Sequence, residues 1–288
     1  MFSILELIKY IFLGIIQGLT EVLPVSSSGH VTIAQEILRV QTDEGLMFLI
    51  VVNLGSLIAL ILHFRMKIGD LISGFFRFAF VKSSREISRE PYEYVWKLVV
   101  ATIPAGIVGY FLMDSIDAIY LSNRILLVGV GLLVTATVLY VVREASFVNG
   151  RQTVEWKDAF TIGFAQMLSV LPGWSRNGIT TASGLSRKMS METALVFSLL
   201  LSIPLSLGSL VVYGYRIYRG GAAELGFDTS NFALYIYYAA AFLSSIAATW
   251  FALKFIFQFF RRGRLVYFSL YLFGVGAIAL VVGILQAG

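Results

Sequence analysis

The chain of 288 residues has no cysteine, so disulfides are excluded and its redox compartment cannot be read. Charge is also scarce: 14% of residues are Asp, Glu, Lys or Arg, against about 25% in a soluble domain. With 58% hydrophobic residues and a mean hydropathy of +0.82, a soluble fold could not cover its own surface, so the bilayer must be the solvent. The first segment lacks a basic stretch, and Gln17 and Glu21 interrupt its apolar run. It is therefore expected to stay in the mature protein rather than be cleaved as a signal. The net charge of +5 points to no nucleic-acid partner, because the basic residues lie in loops between apolar spans.

What is present is organised around the length that crosses a membrane, about 20 mostly apolar residues. Six segments reach it, at about 46–64, 93–112, 123–142, 190–214, 232–258 and 266–286. The segments at about 4–40 and 158–188 do not; each is a pair of shorter apolar stretches broken by proline, glycine and serine. Pro24 and Pro172 remove a backbone donor and disfavour helix at the residue before them. Each pair reads as a re-entrant helical hairpin, allowed at membrane depth only where it is buried in protein or lines a wet cavity. The fold class is thus an all-α polytopic membrane protein, six transmembrane helices plus two re-entrant hairpins, in one domain spanning 1–288. The segment 82–93 reads as a charged cytoplasmic loop and 220–231 as an external one. The loops 65–92, 143–158, 187–189 and 259–265 share one side and hold fourteen Lys and Arg; the other side holds Arg39, Arg124, Arg216 and Arg219. The positive-inside rule makes the first side cytoplasmic and puts both termini outside.

The two hairpins resemble each other. With a single one-residue gap, Gly14, Gln17, Leu19, Leu23, Pro24 and Ser27 fall on Gly163, Gln166, Leu168, Leu171, Pro172 and Ser175. Farther on, Leu54 to Leu57 echoes Leu207 to Leu210, and Gly129 to Gly131 echoes Gly274 to Gly276. The first half, about 1–145, starts outside and the second, about 155–288, starts inside. That is an inverted-topology repeat, whose substrate site typically lies at broken helices near the midplane.

Gln17 and Glu21 are four apart and share a helix face. Ser26, Ser27, Ser28 and Gly29 turn into a second helix with serine as N-cap, and His30 lies three residues after Ser27. In the other hairpin Gly173, Trp174 and Ser175 turn into a helix carrying Arg176, Asn177 and Thr180. Helix N-termini and a guanidinium suit a phosphate. A carboxylate, an imidazole and several hydroxyls beside them suit hydrolysis of a phosphate ester or anhydride better than ion conduction.

These residues resemble the undecaprenyl-pyrophosphate phosphatases, the bacitracin-resistance family. Gln17 to Glu21 matches that family's (E/Q)xxxE pattern, and the Leu-Pro-Val-Ser-Ser-x-Gly-His run follows as Leu23 to His30. Pro172 to Thr180 is similar to its PGxSRSxxT motif, with Asn177 where the family has serine. The resemblance covers essentially the whole chain. It implies removal of the terminal phosphate from a polyprenyl pyrophosphate lipid, regenerating the monophosphate carrier for cell-wall synthesis. It also implies a site in the cell membrane that opens to the external face, and a divalent cation, usually Mg2+ or Ca2+.

On this reading Arg176, Ser26, Ser175, Asn177 and Thr180 hold the pyrophosphate, while Glu21, Ser27 and His30 are the catalytic group. Ser27 attacks, and Glu21 or His30 takes its proton. Water as nucleophile and a phosphorylated His30 are the alternatives. Gln17 and Glu21 are the candidate metal ligands. The plainer readings are a structural Glu21–Arg176 pair, serines acting only as caps, and Asn53 in a helix–helix hydrogen bond, which is preferred to its facing the cavity. Gly55, Ser56, Gly208 and Ser209 read as small residues for close helix contact. The competing function is a transporter or flippase for polyprenyl phosphate, since inverted repeats and broken helices are transporter features. Membrane lipids are the surrounding partners, and the sequence allows a homo-oligomer.

Overall fold

The computed structural model describes residues 2–40, 47–144, 150–171, 173–220, 231–260 and 265–287. Pro172, the expected external connection at 221–230, and Arg261, Arg262 and Arg264 lie outside the described residues. Among the described residues the elements are α1 (Ile4–Glu21), α2 (Ser27–Leu38), α3 (Met47–His63), α4 (Arg65–Phe80), α5 (Arg85–Val141), α6 (Trp156–Gln166), α7 (Arg176–Ser186), α8 (Met191–Gly220), α9 (Phe232–Phe260) and α10 (Leu265–Ala287). The one exception to all-helical structure there is an isolated bridge between Arg151 and Met189. Helix α5 is two helices joined at Asn123, whose φ of −147° and ψ of 51° are not helical.

Among the described residues, five helices are long and apolar enough to cross a membrane: Lys82–Leu112, Ser122–Val141, Met191–Gly220, Phe232–Ile256 and Leu265–Gln286. A sixth is counted if α3 and α4, which meet at a bend of 72°, are taken as one span. The chain is therefore an all-helical, multi-pass membrane protein.

The stretch 65–92 corrects the sequence reading. It is α4, a short 3-10 turn at Lys82–Ser84 and the start of α5, so 82–93 is helix and not loop. Two forces outweigh its charge and Pro91. Arg89, Glu93 and Lys97 form a ladder at helical spacing, with contacts of 2.8 and 3.5 Å. Tyr92 stacks on Phe75 and Phe78 of α4, at centroid distances of 5.1 and 4.2 Å.

Glycines let the helices touch backbone to backbone. A Cβ on Gly18 of α1 would sit 2.5 Å from the Ser245 carbonyl oxygen and 2.7 Å from the Ala248 Cβ of α9. Helix α3 closes on α9 through hydroxyls: Ser245 donates to the Val52 carbonyl at 2.7 Å, and Thr249 donates to Ser56 at 3.0 Å. Gly55 also presses on α9, its would-be Cβ 2.7 Å from the Phe242 carbonyl oxygen. Gly208 does not act this way, for nothing lies within 4 Å of its Cβ position. The second limb of α5 packs along α10, where Ser269 donates to the Ala136 carbonyl at 2.8 Å.

The packing is exchanged between halves of the chain. Gly14 of the first hairpin abuts Ala241 of α9, and its sequence counterpart Gly163 abuts Ala101 of α5, 2.8 Å from Cβ position to Cα. Each hairpin is thus wedged against a long helix from the other half, which brings the two hairpin tips together.

Gly18→Leu is expected to prevent α1 from docking on α9. Gly18→Ala is expected to cost about 1–3 kcal/mol through overpacking, read as a lower melting temperature in detergent. Gly69→Ala, where nothing lies within 4 Å, is the control and leaves the melting temperature unchanged or slightly raised.

Candidate active site

The tips of the hairpins form one polar cluster. Helix α1 ends at Glu21, and the chain turns through residues 22–26 into α2. Ser26 caps α2: its Oγ accepts from the Gly29 N–H at 3.2 Å. Its φ of 68° is left-handed, which a non-glycine residue adopts at a cost. In the second hairpin Gly173 has φ 88°, and a Cβ there would lie 2.6 Å from the Val128 Cα, so only glycine fits. Ser175 caps α7, accepting from the Gly178 N–H at 3.1 Å, while its own N–H donates to Thr135 Oγ1 at 3.0 Å. The tips are tied together where the Gly173 N–H donates to Ser28 Oγ at 3.5 Å and Asn177 Nδ2 donates to the Glu21 carbonyl at 2.5 Å.

Glu21 is the centre. The residue is 5% exposed, and its carboxylate accepts from Gln17 Nε2 at 2.9 Å, Ser27 Oγ at 2.5 Å and an Arg176 terminal nitrogen at 3.0 Å. The other terminal nitrogen of Arg176 donates to Ser206 Oγ on α8 at 3.4 Å. Arg176 Nε and Trp174 Nε1 are buried donors without a partner among the described residues.

A cavity of about 250 Å3 opens on this cluster, lined by Glu21, Ser26, Ser27, Ser28, Trp174, Ser175, Arg176 and Asn177. Beside it, between the first limb of α5 and α8, runs a second space of about 400 Å3, which shares Ser169, Val170, Arg176, Ser209 and Tyr213 with the first.

Six of the nine residues singled out in the sequence therefore meet at one cavity: Glu21, Ser26, Ser27, Ser175, Arg176 and Asn177. Gln17, His30 and Thr180 are not among its lining residues. Gln17 lies behind Glu21 and supports it. His30 is turned away, its Nδ1 2.8 Å from the Ser26 carbonyl and its Nε2 2.8 Å from Tyr271 Oη, with the two rings stacked. A carbonyl only accepts, so Nδ1 carries a proton, and in the neutral ring Nε2 then accepts from the tyrosine. Thr180 is fully buried and binds the Arg176 carbonyl and Ser198 Oγ. Asn177 spends both ends of its amide inside the protein: Nδ2 on the Glu21 carbonyl, Oδ1 accepting from Ser198 at 3.3 Å.

Sequence reasoning preferred a helix–helix hydrogen bond for Asn53 over a place facing the cavity, and a helix contact for Ser209; both line the cavity, as do Thr20, Ser206 and Tyr213. The register of the repeat was the signal available for Ser206. It pairs with Asn53, since Leu54 pairs with Leu207.

A resident cation fits this donor set poorly. The described residues hold no group of three His, Cys, Asp or Glu able to bind a metal. Both Glu21 oxygens already face donors, one of them a guanidinium. The arrangement instead offers a hydroxyl held on a carboxylate, with a cation beside it, which is the form of an activated nucleophile next to an anion site.

Comparison with known proteins agrees. The family described as bacitracin resistance protein BacA matches residues 10–278. Undecaprenyl-diphosphatase 1 of Bacillus licheniformis is 36% identical over 278 residues, which cover 96% of this chain and 98% of that protein. Undecaprenyl-diphosphatase of Oceanobacillus iheyensis is 38% identical over 275 residues, 96% of each chain. Undecaprenyl-diphosphatase of Bacteroides fragilis is 35% identical over 282 residues, 98% of this chain and 100% of that one.

Asn177→Leu, similar in size but without donor or acceptor, leaves the Glu21 carbonyl without its partner. It is expected to cost about 1–3 kcal/mol of stability, read as a lower melting temperature in detergent.

Proposed function

This chain belongs to the bacitracin resistance protein BacA family, and we propose that the cavity between its hairpin tips is where it acts on its lipid substrate. The protein is an undecaprenyl-diphosphate phosphatase: it converts undecaprenyl diphosphate to undecaprenyl phosphate and inorganic phosphate. This recycles the carrier lipid for cell-wall synthesis and confers resistance to bacitracin. The observation that carries the assignment of the site is the 2.5 Å contact from Ser27 Oγ to Glu21, beside Arg176. A transporter for polyprenyl phosphate would need the guanidinium, but not a hydroxyl seated on a carboxylate.

The terminal phosphate enters against Arg176, Trp174 Nε1 and the first turns of α2 and α7, whose free N–H groups favour an anion. Ser27 Oγ attacks phosphorus while its proton passes to Glu21. The bond from phosphorus to the bridging oxygen breaks, and Glu21 hands the proton on to the departing monophosphate. Water then attacks the phosphoserine as Glu21 takes its proton; the bond from phosphorus to Ser27 Oγ breaks, Glu21 returns the proton to that oxygen, and inorganic phosphate leaves. Arg176 neutralises charge on the transferring oxygens throughout. His30 holds the Ser26 carbonyl and so the strained turn that presents Ser27. Asn177 and Thr180 hold the tip and the start of α7. The divalent cation, Mg2+ or Ca2+, belongs to this proposal as a companion of the diphosphate, because Glu21 and Gln17 alone make no cage for it.

The same reading makes the molecule a single membrane domain with repeat halves at about 1–145 and 155–288. Both hairpins are re-entrant, inserted from opposite sides among six spans. The exchanged contacts of Gly14 and Gly163 support it. The surplus of Lys and Arg on the side of 143–158 and 187–189 supports a cytoplasmic position for that side, and in this reading the cavity opens toward the external face of the cell membrane.

Purified protein in detergent is expected to release phosphate from undecaprenyl diphosphate. Glu21→Gln is expected to reduce turnover by about 10²–10⁴-fold and Arg176→Ala by about 10²–10³-fold, with Ser27→Ala losing at least as much as Glu21→Gln. Full turnover by all three variants would remove the site from this cavity.

A further inference from the structure

We propose that Asn53 holds the diphosphate against the wall of the cavity made by α1 and α3. The inference rests on the phosphatase reading of the cavity and adds a substrate-contacting residue to it. The wall contains Thr20 and Glu21 from α1, and Leu49, Ile50 and Asn53 from α3.

An anion in the cavity needs donors on this side too, and the accounting there leaves one. The Thr20 hydroxyl donates to the Ile16 carbonyl at 2.6 Å. The Glu21 carboxylate accepts, and Gln17, which gives it one Nε2 proton at 2.9 Å, does not line the cavity. Leu49 and Ile50 offer nothing polar. Asn53 is half-buried, lines the cavity and has no hydrogen-bond partner among the described residues. Its two Nδ2 protons are therefore the side-chain donors left on that wall. Without them the diphosphate would meet only the Glu21 carboxylate and apolar side chains there, which is repulsive.

The repeat supports the same assignment. Asn53 and Ser206 occupy equivalent positions, one before the Leu-Gly-Ser-Leu run of each half. Ser206 lines the same cavity and bonds Arg176 at 3.4 Å. The two equivalent positions face one substrate from two sides. Ser206 has a guanidinium to brace, whereas Asn53 has no cation beside it in the cavity lining and works as the donor itself.

The test compares Asn53→Ala, Asn53→Asp and Asn53→Ser in purified, full-length protein. Removing a hydrogen bond to a charged group is expected to raise KM for undecaprenyl diphosphate, and Ki for inorganic pyrophosphate, by about 10- to 100-fold. kcat is expected to change by less than about threefold. Asn53→Asp keeps the size and removes the donor, so it should be worse than Asn53→Ala, and Asn53→Ser should fall between Asn53→Ala and wild type. A packing role would lower the melting temperature without this order in KM and Ki. Wild-type KM and Ki in Asn53→Ala and Asn53→Ser overturn the proposal even if Asn53→Asp fails to accumulate. Stabilisation by inorganic pyrophosphate, read as a rise in melting temperature, separates this inference from the one beneath it. Wild-type protein that releases no phosphate from the lipid sinks the phosphatase site. Loss of the pyrophosphate-induced rise in Asn53→Ala supports the Asn53 contact even then, and an undiminished rise overturns it.

Discussion

The structure turns on the grip that the second hairpin keeps on Glu21. Arg176 binds its carboxylate at 3.0 Å and Asn177 binds its backbone carbonyl, so side chain and main chain are held from the same turn of α7. The side chains are 4% and 18% exposed. Stripping both charges of water costs several kcal/mol per ion, and hydrophobic replacements are often as stable. The pair is therefore a poor choice for stability alone. On the proposed mechanism it is a good choice for chemistry, because a phosphate entering the cavity would take up the same guanidinium that the carboxylate now shares. Everything else follows from the need to bring residues 155 positions apart into contact: the glycine faces on α1 and α6, the exchange of packing between halves, and the turns at Ser26 and Gly173.

The copies have diverged in function while keeping their frame. Gln17 is occupied by Glu21, but its counterpart Gln166 is fully buried with neither end of its amide bonded among the described residues. The second hairpin has no carboxylate at the place of Glu21. In exchange it carries Arg176, where the first hairpin has Ser28. Two N-caps, Ser26 and Ser175, do the same work in both, whereas the proposed nucleophile Ser27 and the cation Arg176 sit one in each. A chemical centre at a pseudo-symmetric junction can use such asymmetry, since the attacking group and the charge-neutralising group must approach one phosphorus from different directions.

Much of this was legible in the chain. Apolar length found the apolar helices, five of which qualify as spans, or six if the bent α3–α4 pair counts as one, though 93–112 is only part of a helix that starts at Arg85; Pro24 with the serine run gave the first break. The convergence of Glu21, Ser27 and Arg176 followed from treating the hairpins as copies. What escaped has identifiable causes. The helix over 65–80 and the helical start of α5 depend on Tyr92 stacking across to α4, a tertiary contact that local charge content hides. His30 and Ser27 are three apart, which allows one face, but the Ser26 carbonyl and Tyr271 hydroxyl, the latter 241 residues away, turn the imidazole elsewhere. Thr180 carries a hydroxyl suited to a phosphate but gives it to the Arg176 carbonyl and Ser198, whereas Asn177 lines the cavity while its amide also binds the Glu21 carbonyl and Ser198. Asn53 and Ser209 looked like helix glue because, in an apolar span, a small polar residue facing a neighbour and one facing a cavity have the same spacing.

The central claim is that the Ser27 hydroxyl, held on Glu21 and beside Arg176, forms a covalent bond to the terminal phosphate. Rapid acid quench of the purified protein with undecaprenyl diphosphate labelled in its terminal phosphate, followed by peptide mapping, tests it most directly. The account predicts label on Ser27 that forms and decays at rates compatible with turnover, and none in the Ser27→Ala protein. Label on His30 that persists in Ser27→Ala, or undiminished turnover by that variant, would contradict it.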